Sequence, residues 1–358
     1  MMRALKGPYR QGAVSYFRTW KIANHSTNAE PDIPAPRRVV HRWFLTSSVD
    51  TLSAHFSVLV TMNALVQRLP EYLRLMRFDR PVGTLLLLWP TLAAVWVAAA
   101  GTPPAHLVVI FALGCLVMRA AGCVINDYAD RHLDVQVART RDRPLARRSV
   151  DEIEALLLFA ILLAVALLLV MFLNPLTQWM AVAGALIATL YPFMKRWTYL
   201  PQVVLGAAFS WGIVMAFTAV QNALPATAWL MFVASLLWIV MYDTLYAMVD
   251  RDDDLKAGIK STAILFGQAD RIMVAVLQMA TLLSLTLFGL RAGLGLCFAV
   301  GLAVIGALFV HQQRLIRHRD RDLCLVAFKN NVWVGFVLWL AVVLDLEVVP
   351  ALSGWAAA

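Results

Sequence analysis

The chain has 358 residues, is 61% hydrophobic and only 15% charged, and has a mean hydropathy of +0.70, which excludes an ordinary soluble domain. Its net charge of +9 is not a nucleic-acid signal: residues 1–61 hold 8 Lys and Arg against 3 acids, so +5 of the +9 sits there, and the other basic residues cluster between apolar runs. The four cysteines, Cys115, Cys123, Cys297 and Cys324, lack Cys-x-x-Cys or Cys/His spacing, which argues against a disulfide framework or a zinc site.

Residues 1–61 are basic and polar, with Pro31, Pro34 and Pro36 close together, and read as a disordered extension outside the membrane domain expected over 62–350. Two origins stay open. The Arg and Ser content fits a transit peptide, with Glu30, Asp32 and Asp50 counting against it; the favoured reading is a poorly ordered extension, or an upstream start codon with Met62 as the true initiator. Residues 62–79 then read as an interfacial helix. Leu65, Leu69, Tyr72, Leu73 and Met76 recur at helical spacing, with Arg68, Glu71 and Arg74 between them. Asp79 is the expected N-cap of the helix that follows, with Pro81 in its first turn.

Apolar runs follow at 82–100, 105–125, 153–173, 177–193, 200–220, 226–248, 271–290, 292–311 and 325–345. Each is near the ~20 residues a helix needs to cross a bilayer, so the expected fold is all-α, a polytopic membrane protein of nine transmembrane helices around a central cavity. Basic residues select alternate loops. Arg68, Arg74, Arg77 and Arg80 precede the first run; Arg131, Arg139, Arg141, Arg143, Arg147 and Arg148 follow the second. Lys195 and Arg196 follow the fourth, Arg251, Lys256 and Lys260 the sixth, and Arg314, Arg317, Arg319, Arg321 and Lys329 the eighth, whereas the opposite loops carry only Arg291. The positive-inside rule therefore puts the N-terminus in the cytoplasm and the C-terminus outside.

Two Asp-Arg-x-x-Asp quintets, Asp130–Asp134 and Asp250–Asp254, follow the second and sixth runs, 120 residues apart. Their offset of four helices suggests a duplicated four-helix unit that puts both quintets at one end of the bundle. Carboxylates beside a membrane core are costly unless compensated, and so mark function. Asn126, Asp130 and Asp134 fall at i, i+4, i+8 of an expected continued helix, and Asp243, Asp250 and Asp254 make a second stripe. Asp127, Asp252 and Asp253 point elsewhere and read as solvated acids. Two facing stripes of oxygen ligands suit Mg²⁺, which bridges carboxylates to substrate phosphates. Arg139, Arg143, Lys256 and Lys260, just beyond the aspartates, would hold a diphosphate. Arg119 lies within the second run on the face of Asn126, where a guanidinium needs an anionic partner or a wet cavity.

At these residues the chain resembles the UbiA superfamily of intramembrane aromatic prenyltransferases, in the branch acting on 4-hydroxybenzoate. The resemblance is carried by the pattern N-D-x-x-D-x-x-x-D over Asn126 to Asp134, by Arg139-Thr140 and Arg143-Pro144, and by Tyr191 to Arg196. It is carried further by Tyr242 to Asp254 running into Gly258-Ile259-Lys260-Ser261-Thr262; it covers about 65–345 and says nothing of 1–61. It implies transfer of a polyprenyl group from polyprenyl diphosphate to 4-hydroxybenzoate in ubiquinone biosynthesis, in a bacterial inner membrane, with a mitochondrial inner membrane as the lesser alternative. Asn126, Asp130, Asp134, Asp250 and Asp254 become the Mg²⁺ site, the four aspartates catalytic. Arg119, Arg139, Arg143, Lys195, Arg196, Asp243, Tyr246 and Lys260 become substrate-binding, with Asp243 and Tyr246 candidates for taking the ring proton. A naphthoate, homogentisate or haem acceptor and, more distantly, a cation-coupled transporter are the competing readings; transporter sites lie near the bilayer midplane, not at helix ends. A chain starting at Met62 is expected to insert and keep full activity, measured on membranes; loss of turnover in correctly inserted truncated protein would give residues 1–61 a role.

Overall fold

A computed structural model of the chain describes residues 67–136 and 139–348, without the side chains of Gln136 and Lys195. The extension expected over 1–61, the start of the interfacial helix and the last residues of the 62–350 domain lie outside the described residues. Among those described, nine helices are long and apolar enough to cross a membrane. They follow a short helix α1 over 67–75 and are α2 (Val82–Ala99), α3 (Ala105–Asp130), α4 (Glu152–Val170), α5 (Pro175–Trp197), α6 (Pro201–Gln221) and α7 (Ala226–Ala257). The seventh span is broken into α8 (Thr262–Phe266), a 3-10 turn and α9 (Asp270–Ala292); α10 (Leu296–Leu315) and α11 (Arg321–Val343) complete the bundle.

Local chemistry sets the helix ends. Asp151 and Glu154 form a capping box at the start of α4, Asn174 accepts from Thr177 N at 2.9 Å ahead of Pro175 in α5, and Asp320 accepts from Leu323 N at 3.0 Å to start α11. The start of α2 differs from expectation. Its N-cap is Pro81, with no side-chain cap, while Asp79 lies against Arg80 at 3.5 Å. Pro81 has no side-chain acceptor to offer, but its fixed φ suits the entry to a helix, and its carbonyl accepts from Leu85 N at 3.0 Å. Gly258 ends α7 with φ +68, a left-handed turn closed by Ile259 N donating to the Asp254 carbonyl at 2.9 Å.

Apart from α4 and α5, helices that follow one another in the chain pack together, and the ring closes where α11 lies on α2. α7 is the most enclosed, gripped by α6, α9 and α11, with Met231, Trp238, Ile239, Met241, Tyr242 and Leu245 almost fully buried. In lipid such packing rests on van der Waals fit and interhelical hydrogen bonds, since a lipid tail is as apolar as a leucine. The bonds are present: Trp238 Nε1 donates to Asn331 Oδ1 at 2.9 Å, and Gln278, Gln312, Gln313 and Asn330 form an amide chain at 2.9–3.0 Å. One seam is open. α4 packs on α3 but scarcely meets α5.

Candidate active site

Both quintets lie at the same end of the bundle, on unequal backbones. α7 runs unbroken through Asp250 to Ala257, so Asp243, Asp250 and Asp254 are helical as expected. α3 ends at Asp130; Leu133 N donates to the Asp130 carbonyl at 2.7 Å and Asp134 sits in a 3-10 turn, so the helical stripe from Asn126 to Asp134 does not continue to its third member. Thr140 Oγ1 donates to the Asp134 carbonyl at 3.0 Å and holds that turn against the following loop.

Asp127, Asp130, Asp134, Asp250 and Asp254 are all buried. Arginines meet them. Arg139 binds both oxygens of Asp250, with Nε at 2.9 Å from Oδ1. Arg143 Nη1 lies 2.9 and 3.1 Å from the Asp134 oxygens and 3.0 Å from Asp127 Oδ1. Arg77 Nη2 binds both Asp127 oxygens at 2.8 and 3.0 Å. This corrects the reading of Asp127 as a solvated acid: it is 1% exposed and shared by two guanidinium groups. Asp252 is exposed and Asp253 pairs with Arg321 at the surface, as expected of them.

Burial pushes the Asp134 carboxyl up to about 6; Arg143 pulls it back, while Asp127 and Asp130 push it further. Burial alone would lower Arg139 and Arg143, yet Tyr246 and Asp250 around the first, and Asp127 and Asp134 around the second, raise both. Acids this close favour positive charge among them. Among the described residues no three His, Cys, Asp or Glu groups converge as a metal cage. The carboxylate oxygens present are hard donors of the kind Mg²⁺ takes one or two at a time, with water and phosphate completing its shell.

Below the aspartates a cavity of about 1660 Å³ opens into the bundle, lined at its upper part by Arg119, Asn126, Asp127, Arg139, Arg143, Tyr191, Tyr242, Asp243 and Tyr246. Arg119 reaches across α2. A Cβ on Gly83 would stand 2.4 Å from its Nε, so only glycine leaves room for the guanidinium there. Its Nε is enclosed without a hydrogen-bond partner, and so is the Tyr242 hydroxyl. Two enclosed polar groups of this kind in one cavity point to a polar ligand. The Arg119 guanidinium also lies 5.8 Å from the Phe209 ring, and that of Arg139 lies 4.6 Å from the Tyr246 ring, itself packed on Phe328.

The other expected substrate residues lie further off. Arg196 Nη2 donates to the Ala129 carbonyl at 2.7 Å, bracing the end of α3. Lys260 Nζ is 3.4 Å from the Trp197 carbonyl and lies over the Tyr199 ring, and Lys256 is exposed. Lys195 is on α5, its side chain outside the described residues. Sequence reasoning missed Arg77 and Tyr242. Tyr242 sits beside Asp243 in the quoted motif and could have been found there; Arg77 carries no signal beyond topology, and only its left-handed backbone (φ +62) and its reach to Asp127 set it apart. The same segment is tied to the first motif loop by Glu71, which accepts from Arg147 and, at 2.7 Å, from Ser149 Oγ.

Residues 87–341 match the model of the UbiA prenyltransferase family. Over 279 residues, 78% of this chain and 94% of the relative, the sequence is 58% identical to the 4-hydroxybenzoate octaprenyltransferase of Chromohalobacter salexigens. It is 56% identical to the protein of that name from Coxiella burnetii, over 78% of this chain and 97% of the relative. To that of Pseudomonas syringae it is 52% identical, over 82% and 99%. Among solved structures, a UbiA homolog from Aeropyrum pernix K1 has a TM-score of 0.66 at 22% identity, covering 73% of this chain and 97% of that one. A UbiA homolog from Archaeoglobus fulgidus bound to GPP and Mg²⁺ has a TM-score of 0.58 at 21% identity, covering 76% and 99%. At such identity the likeness is one of fold.

Proposed function

This chain belongs to the UbiA prenyltransferase family, and we propose that it transfers a polyprenyl group from polyprenyl diphosphate to 4-hydroxybenzoate, a step of ubiquinone biosynthesis, with Mg²⁺ as cofactor. The relatives that carry the activity are 52–58% identical across nearly their whole length. The observation that carries the reading is the pairing, in one cavity, of a carboxylate–arginine end with the enclosed Arg119 Nε and Tyr242 hydroxyl below it. The positive-inside bias supports a cytoplasmic aspartate end and N-terminus, and the bacterial source of the relatives supports a bacterial inner membrane.

Asn126, Asp130, Asp134, Asp250 and Asp254 would hold Mg²⁺, which when bound acts as a Lewis acid on the diphosphate leaving group. Arg139 and Arg143 present guanidinium forks to the phosphate oxygens from their seats on Asp250 and Asp134. The allylic C–O bond breaks and the diphosphate leaves with the electron pair. Tyr246 and Phe328, both on the cavity wall, would offer aromatic rings to the positive charge left on the allylic carbon. Arg119 holds the acceptor's carboxylate, with Tyr242 as a second hydrogen-bonding group. The ring carbon ortho to the hydroxyl forms the new C–C bond, and Asp243 on the cavity wall takes the ring proton, giving 3-polyprenyl-4-hydroxybenzoate.

Purified protein in lipid, given labelled polyprenyl diphosphate, Mg²⁺ and a panel of 4-hydroxybenzoate, homogentisate and a naphthoate, is expected to label 4-hydroxybenzoate alone. EDTA should stop the reaction and Mg²⁺ restore it. Labelling of another acceptor, or turnover indifferent to EDTA, overturns the reading. Gly83→Ala is expected to push the Arg119 guanidinium off its seat and raise the KM for 4-hydroxybenzoate about tenfold, about 1.4 kcal/mol, leaving the KM for polyprenyl diphosphate unchanged.

A further inference from the structure

We propose that the turn from α10 into α11 is a positioning element of the second aspartate motif: Arg319 and Arg321 hold the two flanks of the α7 end and fix the roll at which Asp250 meets Arg139. This rests on the reading of Asp250 and Asp254 as metal-site residues. Those two lie four residues apart and share one helical face. At about 100° per residue, Arg251 and Asp253 stand about 80° to either side of that face. Both flanks are tied. On one, Arg251 Nη1 lies 3.3 Å from Asp270 Oδ2. Asp270, the first residue of α9, is fully buried, and Arg319 binds it with Nε at 2.9 and 3.0 Å and Nη2 at 2.7 Å. On the other flank, Arg321 Nη2 donates to Asp253 Oδ2 at 2.8 Å. One tie alone would let the helix end roll about it; two on opposite flanks resist rotation either way.

The turn that carries both arginines is itself fixed. Ile316 is fully buried before it, Asp320 caps α11 after it, and Arg319 Nη2 also donates to the Gln268 carbonyl at 2.8 Å. Arg319 has φ +56, a left-handed backbone that favours glycine or asparagine, so what an arginine adds there is the reach of its side chain. The Arg321–Asp253 pair is half-exposed on the arginine side, and such a pair contributes little to stability; its part is in orientation. The arginine of the first quintet is tied in the same way. Arg131 Nε donates at 2.8 Å to Glu152, the first residue of α4, as Arg251 does to the first residue of α9. A group that supports a site's ligands from behind acts by holding them within a fraction of an ångström of the working geometry.

The test joins hydrogen exchange of the full chain in lipid, free of metal and substrate, to steady-state kinetics in both substrates. Arg319→Asn suits the left-handed backbone and cannot span to Asp270 as arginine does; Arg321→Gln removes the second tie. With both substitutions together, the amides of residues 251–257 are expected to exchange at least about tenfold faster, while those of residues 152–158 at the start of α4 stay as they were. kcat/KM for polyprenyl diphosphate should fall about tenfold, because a small misplacement of the ligands is costly, with the KM for 4-hydroxybenzoate unchanged. Arg319→Lys, paired with Arg321→Gln, keeps the charge without the fork and should fall between. If Arg319→Asn does not insert, that lysine pair carries both measurements. Unchanged exchange over 251–257, faster exchange with unaltered diphosphate kinetics, or an equal loss in both substrates overturns the positioning role. Absence of turnover in the unaltered protein overturns the activity on which it rests, whereas the exchange measurement tests the two ties without it.

Discussion

Asp250→Asn, and separately Asp130→Asn, should lower kcat by about three orders of magnitude in protein that still inserts. The amide keeps the carboxylate's shape and removes one negative charge, so the loss falls on what the charge does. A metal acting as Lewis acid on a leaving group contributes several kcal/mol, and about 4 kcal/mol corresponds to a thousandfold in rate. Asp250 also seats Arg139 through two hydrogen bonds, so its variant loosens a phosphate-binding group as well. Asp130 is buried at the last turn of α3, so its variant places the amide among the first-motif carboxylates. kcat measured at saturating Mg²⁺, with circular dichroism to check helicity, tests both. Activity within tenfold of the unaltered protein in both variants would remove the two aspartates from one shared site.

Arg119→Ala should raise the KM for 4-hydroxybenzoate by about two orders of magnitude, about 3 kcal/mol, the cost of truncating one partner of an enclosed charge pair. Polyprenyl diphosphate binding should change little, because Arg119 lies about two turns deeper in α3 than Asn126 and about three turns deeper than Asp130. Arg119→Lys keeps the charge without the bidentate fork and should fall between the two. Kinetics in both substrates separate the outcomes. Weakened diphosphate binding with an ordinary KM for hydroxybenzoate would move Arg119 to the phosphate end and leave Tyr242 alone at the acceptor.

The residue string by itself determines nine spans, their alternate basic loops and the shared end of the two aspartate quintets. Each of these follows from a local quantity: run length against bilayer thickness, loop charge, and the parity of helices between motifs. It also determines Arg119, since a guanidinium inside an apolar run is an anomaly wherever the neighbouring helices lie. What only the tertiary structure decides is who meets whom. Asp127 looks solvated in a helical projection, and is enclosed because Arg77, fifty residues earlier, and Arg143 both turn onto it. Asp134 leaves the stripe because α3 stops at Asp130 and the chain turns to let Thr140 and Arg143 reach back. Gly83 matters only because Arg119 lies across α2, and α4 leans on α3 and away from α5. Such contacts join residues far apart in the chain, and their geometry is set by packing between helices, on which the periodicity of a single helix carries no information.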